Sequence, residues 1–224
     1  MSISVIIPTL NEMDVIRETL SRLREHQPDE IIVVDGGSTD GTVVEAAAAD
    51  VLLQSGAGRS LQMNLGAVKA HGDVLVFLHA DCLLEPGALQ EAERLLQRRQ
   101  AVAGCFSMFV RACGWFYRSI DVCASARTRL TGLVYGDQGL FVPRDLFRDV
   151  GGFPRVTFLE DVLLSCKLRR RGRIVVARHR ILVSPRRWQR VGLVRQTLRN
   201  WTLTALAACG ADPDRLAIHY PEVR

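Results

Sequence analysis

Val74-Leu75-Val76-Phe77-Leu78-His79-Ala80-Asp81 is the stretch around which the chain is organised. Its five leading apolar residues follow Gly72-Asp73, a pattern typical of a buried strand in a parallel sheet. Ligands of open α/β sheets bind at the carboxyl ends of the strands, which is where His79 and Asp81 fall. An extended backbone would direct both side chains to the same side. The stretch therefore predicts either a polar turn or a site where an imidazole and a carboxylate bind a divalent cation. Cys82–Gly87, directly after it, predicts a turn.

Composition indicates a folded chain with a sizeable core. The 224 residues are 48% hydrophobic and 24% charged. The six cysteines form no C-x-x-C pair and no metal-ligand spacing, so we expect reduced thiols in a cytoplasmic protein. No signal peptide is evident, and no uncharged apolar run approaches the span of a bilayer.

The net charge of +5 is unevenly distributed. Between Val162 and Ala211 there are twelve Lys or Arg residues and no Asp or Glu. A basic segment of this kind favours anionic partners, which are phosphates, an anionic membrane surface or nucleic acid. The alternative is a surface that only keeps the protein in solution.

The first third of the chain predicts a βαβ unit. Strands over Ser4–Pro8 and Glu30–Asp35 flank an amphipathic helix, so they should lie parallel in one sheet. Asp35, at the end of the second strand, could accept hydrogen bonds from a nucleobase or ribose. The turn Gly36–Thr42 equally suits a helix cap. The fingerprint G-x-G-x-x-G is absent, which argues against a nicotinamide site.

Several polar residues occur where a ligand could approach. Arg59 begins a predicted helix and suits a phosphate, although it could be an ordinary surface arginine. Asp137 and Gln138 are bracketed by glycines, which permits close contact with a ligand. Glu160 and Asp161 begin another helix, where they either balance the helix dipole or provide a general base for a hydroxyl.

The carboxyl-terminal region combines cations with aromatic and apolar residues. Ser184–Trp188 predicts a basic-aromatic turn, and Val191–Ala208 predicts an amphipathic helix that packs on the core or lies in a membrane interface. We expect residues 1–190 to form one domain, with residues 191–224 as a helix and tail packed on it.

Seven motifs in one order carry a family resemblance. They are Val5–Glu12, Val33–Thr42, Arg59 with Asn64-Gly66-Ala67, His79-Ala80-Asp81, Gly136–Gly139, Glu160-Asp161 and Arg186-Arg187-Trp188. Together they cover nearly the whole chain and resemble the inverting family-two glycosyltransferases of the GT-A fold. The length and the His-Ala-Asp and Arg-Arg-Trp variants resemble a short bacterial branch called selenium-domain-associated transferase two.

The resemblance implies an α/β fold, with a Rossmann-type, mostly parallel sheet flanked by helices in a single domain and a basic helical extension. It implies that Asp161 is the catalytic base with Glu160 beside it, and that Asp137 and Gln138 face the sugar or acceptor. Asp81, with His79 before it, would bind Mn²⁺ or Mg²⁺. The implied nucleotide-sugar-binding residues are Pro8, Thr9, Glu12, Asp35, Gly37, Arg59, Asn64, Asp81, Arg186, Arg187 and Trp188.

Two departures from the family pattern refine this expectation. His79 replaces the first acid of the D-x-D motif, so either manganese is favoured or His79 does not bind the metal. The Arg-Arg-Trp element lacks the glutamine of Q-x-x-R-W, which argues against processive synthesis.

The function predicted from the sequence is metal-dependent, inverting transfer from a nucleoside-diphosphate sugar to an acceptor hydroxyl. By family habit the donor is UDP-linked, and the acceptor is lipid-linked or a small molecule. We expect a cytoplasmic enzyme, or one peripheral to the inner membrane face.

Two other functions compete with this interpretation. Nucleotidyl transfer would need an early Gly-rich loop that carries a lysine, and the chain lacks one. The basic segment 162–211 could instead make the protein a module that binds acidic lipid or, less in keeping with its helix and strand pattern, nucleic acid.

Overall fold

The computed structural model describes residues 1–98 and 100–208, and its centre is an eight-stranded sheet. The strands are β1 Ile3–Thr9, β2 Glu30–Asp35, β3 Val51–Gln54, β4 Val74–Phe77, β5 Cys82–Leu84, β6 Ala103–Val110, β7 Leu140–Pro143 and β8 Ile174–Val183. The helices are α1 Met13–Glu25, α2 Thr42–Glu45, α3 Arg59–Lys69, α4 Ala88–Gln97, α5 Trp115–Thr131, α6 Arg144–Asp149, α7 Glu160–Arg169, α8 Arg186–Val191 and α9 Leu193–Ala208. Short 3-10 turns cover Ala46–Ala48 and Gly136–Gln138.

The strands lie in the order β3-β2-β1-β4-β7-β6-β8-β5. Strands β1 to β4 are parallel, which for β1 and β2 confirms the prediction from the βαβ pattern. Strands β7 and β5 run antiparallel to their neighbours. Strand β8 pairs in parallel with β6, so six of the eight strands run in one direction. Their carboxyl ends therefore meet at one edge of the sheet, where ligands of such folds bind.

Helices cover both faces of this sheet. Along β1, Val5 and Ile7 pack with α1 and α4 in one core, and Ile6 packs with α3, α6 and α7 in a second core. A Cβ atom at Gly66 of α3 would lie 2.5 Å from Ile6 Cγ2. This glycine therefore lets α3 pack close to the sheet.

Three segments differ from the sequence expectations. Strand β4 ends at Phe77 and a turn follows, so His79 and Asp81 do not lie on an extended backbone. Cys82–Leu84, expected as part of a turn, is strand β5, because antiparallel pairing with β8 stabilises it. In place of the predicted Ser184–Trp188 turn, helix α8 begins at Arg186, whose backbone N–H donates to Ser184 Oγ, just before the helix, at 3.3 Å.

Helix α9 follows α8 after Gly192 and buries Gln196 and Leu203. The predicted tail at residues 209–224 lies outside the described residues. The proposed boundary between a domain of residues 1–190 and an extension of residues 191–224 therefore stays a prediction. Among the helices that the structure describes, none has both the length and the apolar composition to cross a membrane.

Candidate active site

A cavity of about 810 Å³ opens at the carboxyl edge of the sheet. Its walls come from the ends of β1 and β8, the turn after β4, the loop before β7, and helices α5, α7 and α8. Most of the predicted site residues line it. They are Pro8, Thr9, Glu12, Arg59, His79, Asp81, Asp137, Glu160, Asp161, Arg186, Arg187 and Trp188.

Asp35 lies outside this lining and holds its own turn together. Its buried carboxylate accepts the backbone N–H groups of Gly37 and Ser38, each at 2.9 Å, and the Ser38 hydroxyl. Thr9 Oγ1 donates to the same carboxylate at 3.3 Å. The structure thus gives Asp35 and Gly37 a local structural role, one of the two interpretations that the sequence left open.

Asn64 and Gln138 also bind within the protein. Asn64 Nδ2 donates to the carbonyl of Phe153 at 2.9 Å, and its Oδ1 accepts the Phe153 N–H at 3.0 Å. Gln138 is buried and accepts the Thr128 hydroxyl at 2.8 Å. These amides position the loops beside the cavity, and neither is among the described residues that line it.

Arg186 connects two acids that are far apart in the sequence. Its Nη2 donates to both carboxylate oxygens of Glu12, at 2.9 and 2.6 Å, and its Nε donates to Asp81 Oδ2 at 3.1 Å. Charge-assisted pairs of this kind are among the stronger hydrogen bonds in proteins. The guanidinium therefore fixes the loop after β1 against the turn after β4.

Helix α7 begins with two adjacent buried acids, Glu160 and Asp161. Burial raises the pKa of Asp161 well above its usual range, the neighbouring Glu160 raises it further, and Arg59 opposes both effects. Burial likewise raises the pKa of Glu160, whose Oε1 lies 4.0 Å from Arg59 Nη1. Leu159, directly before this pair, has φ +60°, a left-handed conformation that is uncommon outside glycine and concentrates at functional sites.

Gly136 lies between this acidic pair and His79. A Cβ atom at Gly136 would be 2.6 Å from Asp161 Oδ2 and 2.6 Å from His79 Nε2. The carboxylate oxygen and the imidazole nitrogen are therefore separated by no more than twice that distance. Only a residue without a side chain fits between them.

Burial, assisted by Arg59, lowers the pKa of His79 to about 3, which favours the neutral imidazole at neutral pH. Its Nε2 is buried and has no hydrogen-bond partner among the described residues. Neutral imidazole is the form that binds metals. The described residues contain no group of three or more His, Cys, Asp or Glu arranged to hold an ion. Asp81 Oδ2 accepts Arg186 Nε at 3.1 Å, so a metal site at His79 and Asp81 stays a prediction, in which the remaining ligands would come from a diphosphate and water.

The sequence analysis missed two polar residues of the cavity. Arg127 of α5 stacks on Tyr135, with Cζ 3.6 Å from the ring centroid, and both residues line the cavity. Gln62 Nε2 donates to the carbonyls of Thr9 and Val34 at 2.7 and 2.8 Å, so it closes the ends of β1 and β2. Helical spacing from Phe116 could have assigned Arg127 to the cavity face, whereas no local signal identifies Gln62.

Burial raises the pKa of Asp137, and Arg127 is the cation that opposes this rise most. Asp137 Oδ1 is buried without a hydrogen-bond partner among the described residues. The cavity thus combines buried carboxylates that can accept a proton with arginines that can bind phosphate.

A family model described as glycosyl transferase family 2 matches residues 4–142. Among curated proteins, the glucosyl-3-phosphoglycerate synthase of Mycolicibacterium paratuberculosis is 35% identical over 97 residues, which is 37% of this chain and 29% of that protein. Glycosyltransferase AglJ of Haloferax volcanii is 40% identical over 60 residues, which is 26% of this chain and 20% of that protein. The similarity thus spans less than a third of the length of either relative.

Solved structures of similar fold cover most of the chain. The mannosyltransferase PcManGT of Pyrobaculum calidifontis, in complex with GDP-Man and Mn²⁺, has a TM-score of 0.65 at 21% identity and covers 97% of this chain and 78% of that one. Glucosyl-3-phosphoglycerate synthase of Mycobacterium tuberculosis, with Mn²⁺, UDP and glucosyl-3-phosphoglycerate, has a TM-score of 0.63 at 22% identity, covering 94% and 81%. S. aureus TarS with UDP-GlcNAc has a TM-score of 0.63 at 22% identity, covering 82% and 58%. These similarities confirm the GT-A-like α/β fold.

Proposed function

The chain belongs to glycosyl transferase family 2, and from this we propose that it transfers a sugar from a nucleoside-diphosphate donor to an acceptor hydroxyl with inversion. One observation carries the proposal. The buried Asp161 carboxylate and the arginines Arg59, Arg186 and Arg187 line a single cavity at the carboxyl edge of the sheet. A base and a diphosphate site in one cavity are what a single displacement at the anomeric carbon requires.

The donor would bind along the sheet edge. Pro8 and Thr9, at the end of β1, would border the nucleoside, and Asp35 would act indirectly by holding the adjacent turn. The arginines would pair with the diphosphate, for which the planar guanidinium is well suited. We propose UDP as the nucleotide. Relatives of the same fold were solved with UDP, UDP-GlcNAc or GDP-Man, so guanine is the base to test against uracil.

Asp81 and His79 would hold a divalent ion, Mn²⁺ in preference to Mg²⁺ because imidazole is the softer ligand. When bound there, such an ion stabilises the charge on the leaving diphosphate as a Lewis acid. Arg186 pairs with Asp81 in the structure described here, so its guanidinium neutralises the same carboxylate. Two of the similar structures contain Mn²⁺.

Asp161 would take the proton of the acceptor hydroxyl. The hydroxyl oxygen then forms a bond to the anomeric carbon as the bond from that carbon to the diphosphate oxygen breaks on the opposite face. Burial raises the pKa of Asp161, which makes its carboxylate a stronger base than an exposed aspartate. Glu160 raises that pKa further, and Asp137 would contact the sugar or acceptor from the loop before β7.

The motif order also supports finer proposals. We assign the chain to the selenium-domain-associated branch on its His-Ala-Asp and Arg-Arg-Trp elements, and residues 191–224 to an extension packed on the catalytic domain. We place the protein in the cytoplasm, where nucleotide sugars serve as donors, with an acceptor that is lipid-linked or small.

Product analysis by NMR tests this function. The protein would be incubated with a panel of UDP- and GDP-sugars and Mn²⁺. In the absence of a known acceptor, water serves as the acceptor and the reaction measured is hydrolysis of the donor. Release of nucleoside diphosphate and a free sugar of inverted anomeric configuration supports the proposal. A retained configuration contradicts the single displacement, and inorganic pyrophosphate as product would indicate nucleotidyl transfer instead.

A further inference from the structure

Two helices from distant parts of the chain border the mouth of the cavity. Helix α5 contributes Phe116, Ile120 and Cys123 to its lining, and helix α9 contributes Thr197. We call α5 together with residues 193–199 of α9 the rim. Each of these helices exposes large apolar side chains beside its cavity-facing residues.

On α5 the exposed apolar residues are Trp115, Val122 and Leu130, which are 80%, 67% and 87% exposed. Their spacings of seven and eight place them on one side of the helix. The Trp115 ring packs edge-on against Phe116, with 5.8 Å between centroids, and Phe116 lines the cavity. Apolar surface therefore continues from the outside of α5 into the cavity.

Helix α9 repeats this arrangement. Val194 and Leu198, four residues apart, are 59% and 57% exposed, while Gln196 on another side is buried. A surface helix of a globular protein normally turns its apolar side inward. Large exposed apolar groups therefore occur on both helices that border the cavity mouth, and such groups, which we call the patch, are of the kind that marks an interaction site.

The exposed charges on α5, α8 and α9 are positive. They are Arg129 on α5, Arg190 on α8 and Arg195 on α9. The only acid in α5 is Asp121, which is buried and paired with Arg118 at 2.9 Å, and no Asp or Glu occurs between Val162 and Ala211. Apolar groups flanked by arginine are characteristic of surfaces that bind anionic lipid.

We propose that the rim docks on an anionic lipid bilayer, with the apolar side chains of α5 and α9 inserted and the flanking arginines on the lipid headgroups. This inference deepens the proposed function, because docking would place the cavity mouth, and with it Asp161, toward hydroxyl groups carried by the membrane. Nucleic acid fits the arginines but leaves the apolar residues unexplained, and a second copy of the chain would face like charges.

Vesicle co-sedimentation of the whole protein tests the docking. We expect binding to vesicles of phosphatidylcholine mixed with phosphatidylglycerol, and much weaker binding to phosphatidylcholine alone. The triple variant Trp115→Ser, Val122→Ser, Leu130→Ser should bind about tenfold more weakly or worse. Its matched control, Val44→Ser with Val68→Ser, removes exposed valines of α2 and α3 and should bind like the wild type.

Charge variants test the arginines separately. Arg129→Gln and Arg195→Gln should each weaken binding to anionic vesicles about fivefold, as expected for one basic side chain at such a surface. The control is Arg98→Gln, because Arg98 lies at the end of α4 and not on the rim. Glu93 of the same helix pairs with the amino terminus of the chain. Equal binding by the rim and control variants would overturn the proposal.

A third measurement reports the orientation of the bound protein. Cys123 is exposed and lines the cavity, whereas Cys166 on α7 is exposed and does not line it. Anionic vesicles should slow alkylation of Cys123, read by mass spectrometry, and leave Cys166 unchanged. Unprotected Cys123 would contradict docking through the rim.

Contact between two copies of the chain is the competing use of the rim. Sedimentation equilibrium that shows a dimer, broken by the triple variant, would identify such a contact and overturn the lipid proposal. UDP binding is measured on the same samples. GDP binding is measured as well. Vesicle binding without binding of either nucleotide would support the docking and contradict the transferase proposal, and nucleotide binding without vesicle binding would do the opposite.

Discussion

The cavity has two walls of different character. At the carboxyl edge of the sheet the wall carries Arg59, Asp81 and Arg186, whereas the wall formed by α5 presents Phe116 and Ile120. The first wall holds charges in fixed pairs, such as Arg186 between Glu12 and Asp81, whereas the second combines apolar surface with the stacked guanidinium of Arg127. Under the proposed function, this difference would place the diphosphate at the sheet edge and the acceptor on the α5 side, with Asp161 as the proposed base.

The largest effect should follow from Asp161→Asn, which removes the proposed base and keeps the shape of the side chain. We expect the rate of transfer or of donor hydrolysis to fall about 10²- to 10⁴-fold, the usual contribution of a general base. Donor affinity, measured by calorimetry, should stay unchanged. If donor affinity and reaction rate both fall in this variant, Asp161 contacts the donor, and the assignment of separate walls to donor and acceptor is contradicted.

Gly136→Ala should have the next largest effect. The added Cβ would lie 2.6 Å from both Asp161 Oδ2 and His79 Nε2, so one of these groups must move. Displacement of a reacting group by about 1 Å can cost about 10² in rate. Gly56→Ala is the control, because a Cβ there would meet nothing within 4 Å. Wild-type turnover in Gly136→Ala would show that the spacing around this glycine is not needed for the chemistry.

Two arginine substitutions should separate the walls. Arg186→Ala removes the cation shared by Glu12 and Asp81, and we expect the donor KM to rise about tenfold, as for loss of one charge-assisted pair. Arg127→Ala, on α5, should leave donor KM unchanged and raise acceptor KM once an acceptor is found. Steady-state kinetics with donor and acceptor varied in turn measures both KM values. An effect of both variants on the same KM would contradict the separation of the two walls.

The smallest effect concerns pH. The proposed base works when ionised, so activity should rise with pH through the raised pKa of Asp161. The charge of Glu160 helps to raise the pKa of Asp161. Glu160→Gln should therefore lower the pKa of Asp161 and move the acid limb of the pH–rate profile to lower pH. A limb that stays in place or moves to higher pH would show that Glu160 does not act on Asp161 in this way.

The sheet-edge wall could be predicted from the sequence because its residues follow strands. Parallel strands bring their carboxyl ends together, so Thr9, His79 and Asp81 converge without further information. The local geometry was less predictable, since β4 ends at Phe77 and His79 lies on a loop. The pairing of Arg186 with Glu12 spans most of the chain, and no local pattern encodes it.

Polar residues that hold loops in place by hydrogen bonds were harder to assign from the sequence than residues that directly follow strands. Asn64 and Gln138 belong to motifs of the family, yet their amides bind Phe153 and Thr128 within the protein. Arg127 faces the cavity because of how α5 packs on the sheet. Helical spacing places Arg127 on the same side of α5 as Phe116, but it takes tertiary contacts to turn that side toward the cavity.

Thermal-shift binding of UDP and GDP, with and without Mn²⁺, to the wild type and to Asp81→Ala tests the central claim most directly. The account predicts that UDP with Mn²⁺ raises the Tm of the wild type, that omission of Mn²⁺ reduces the shift, and that Asp81→Ala abolishes the dependence on Mn²⁺. No shift with either nucleotide, or a shift with the same Mn²⁺ dependence in Asp81→Ala, would contradict a nucleotide and metal site at the carboxyl edge of the sheet.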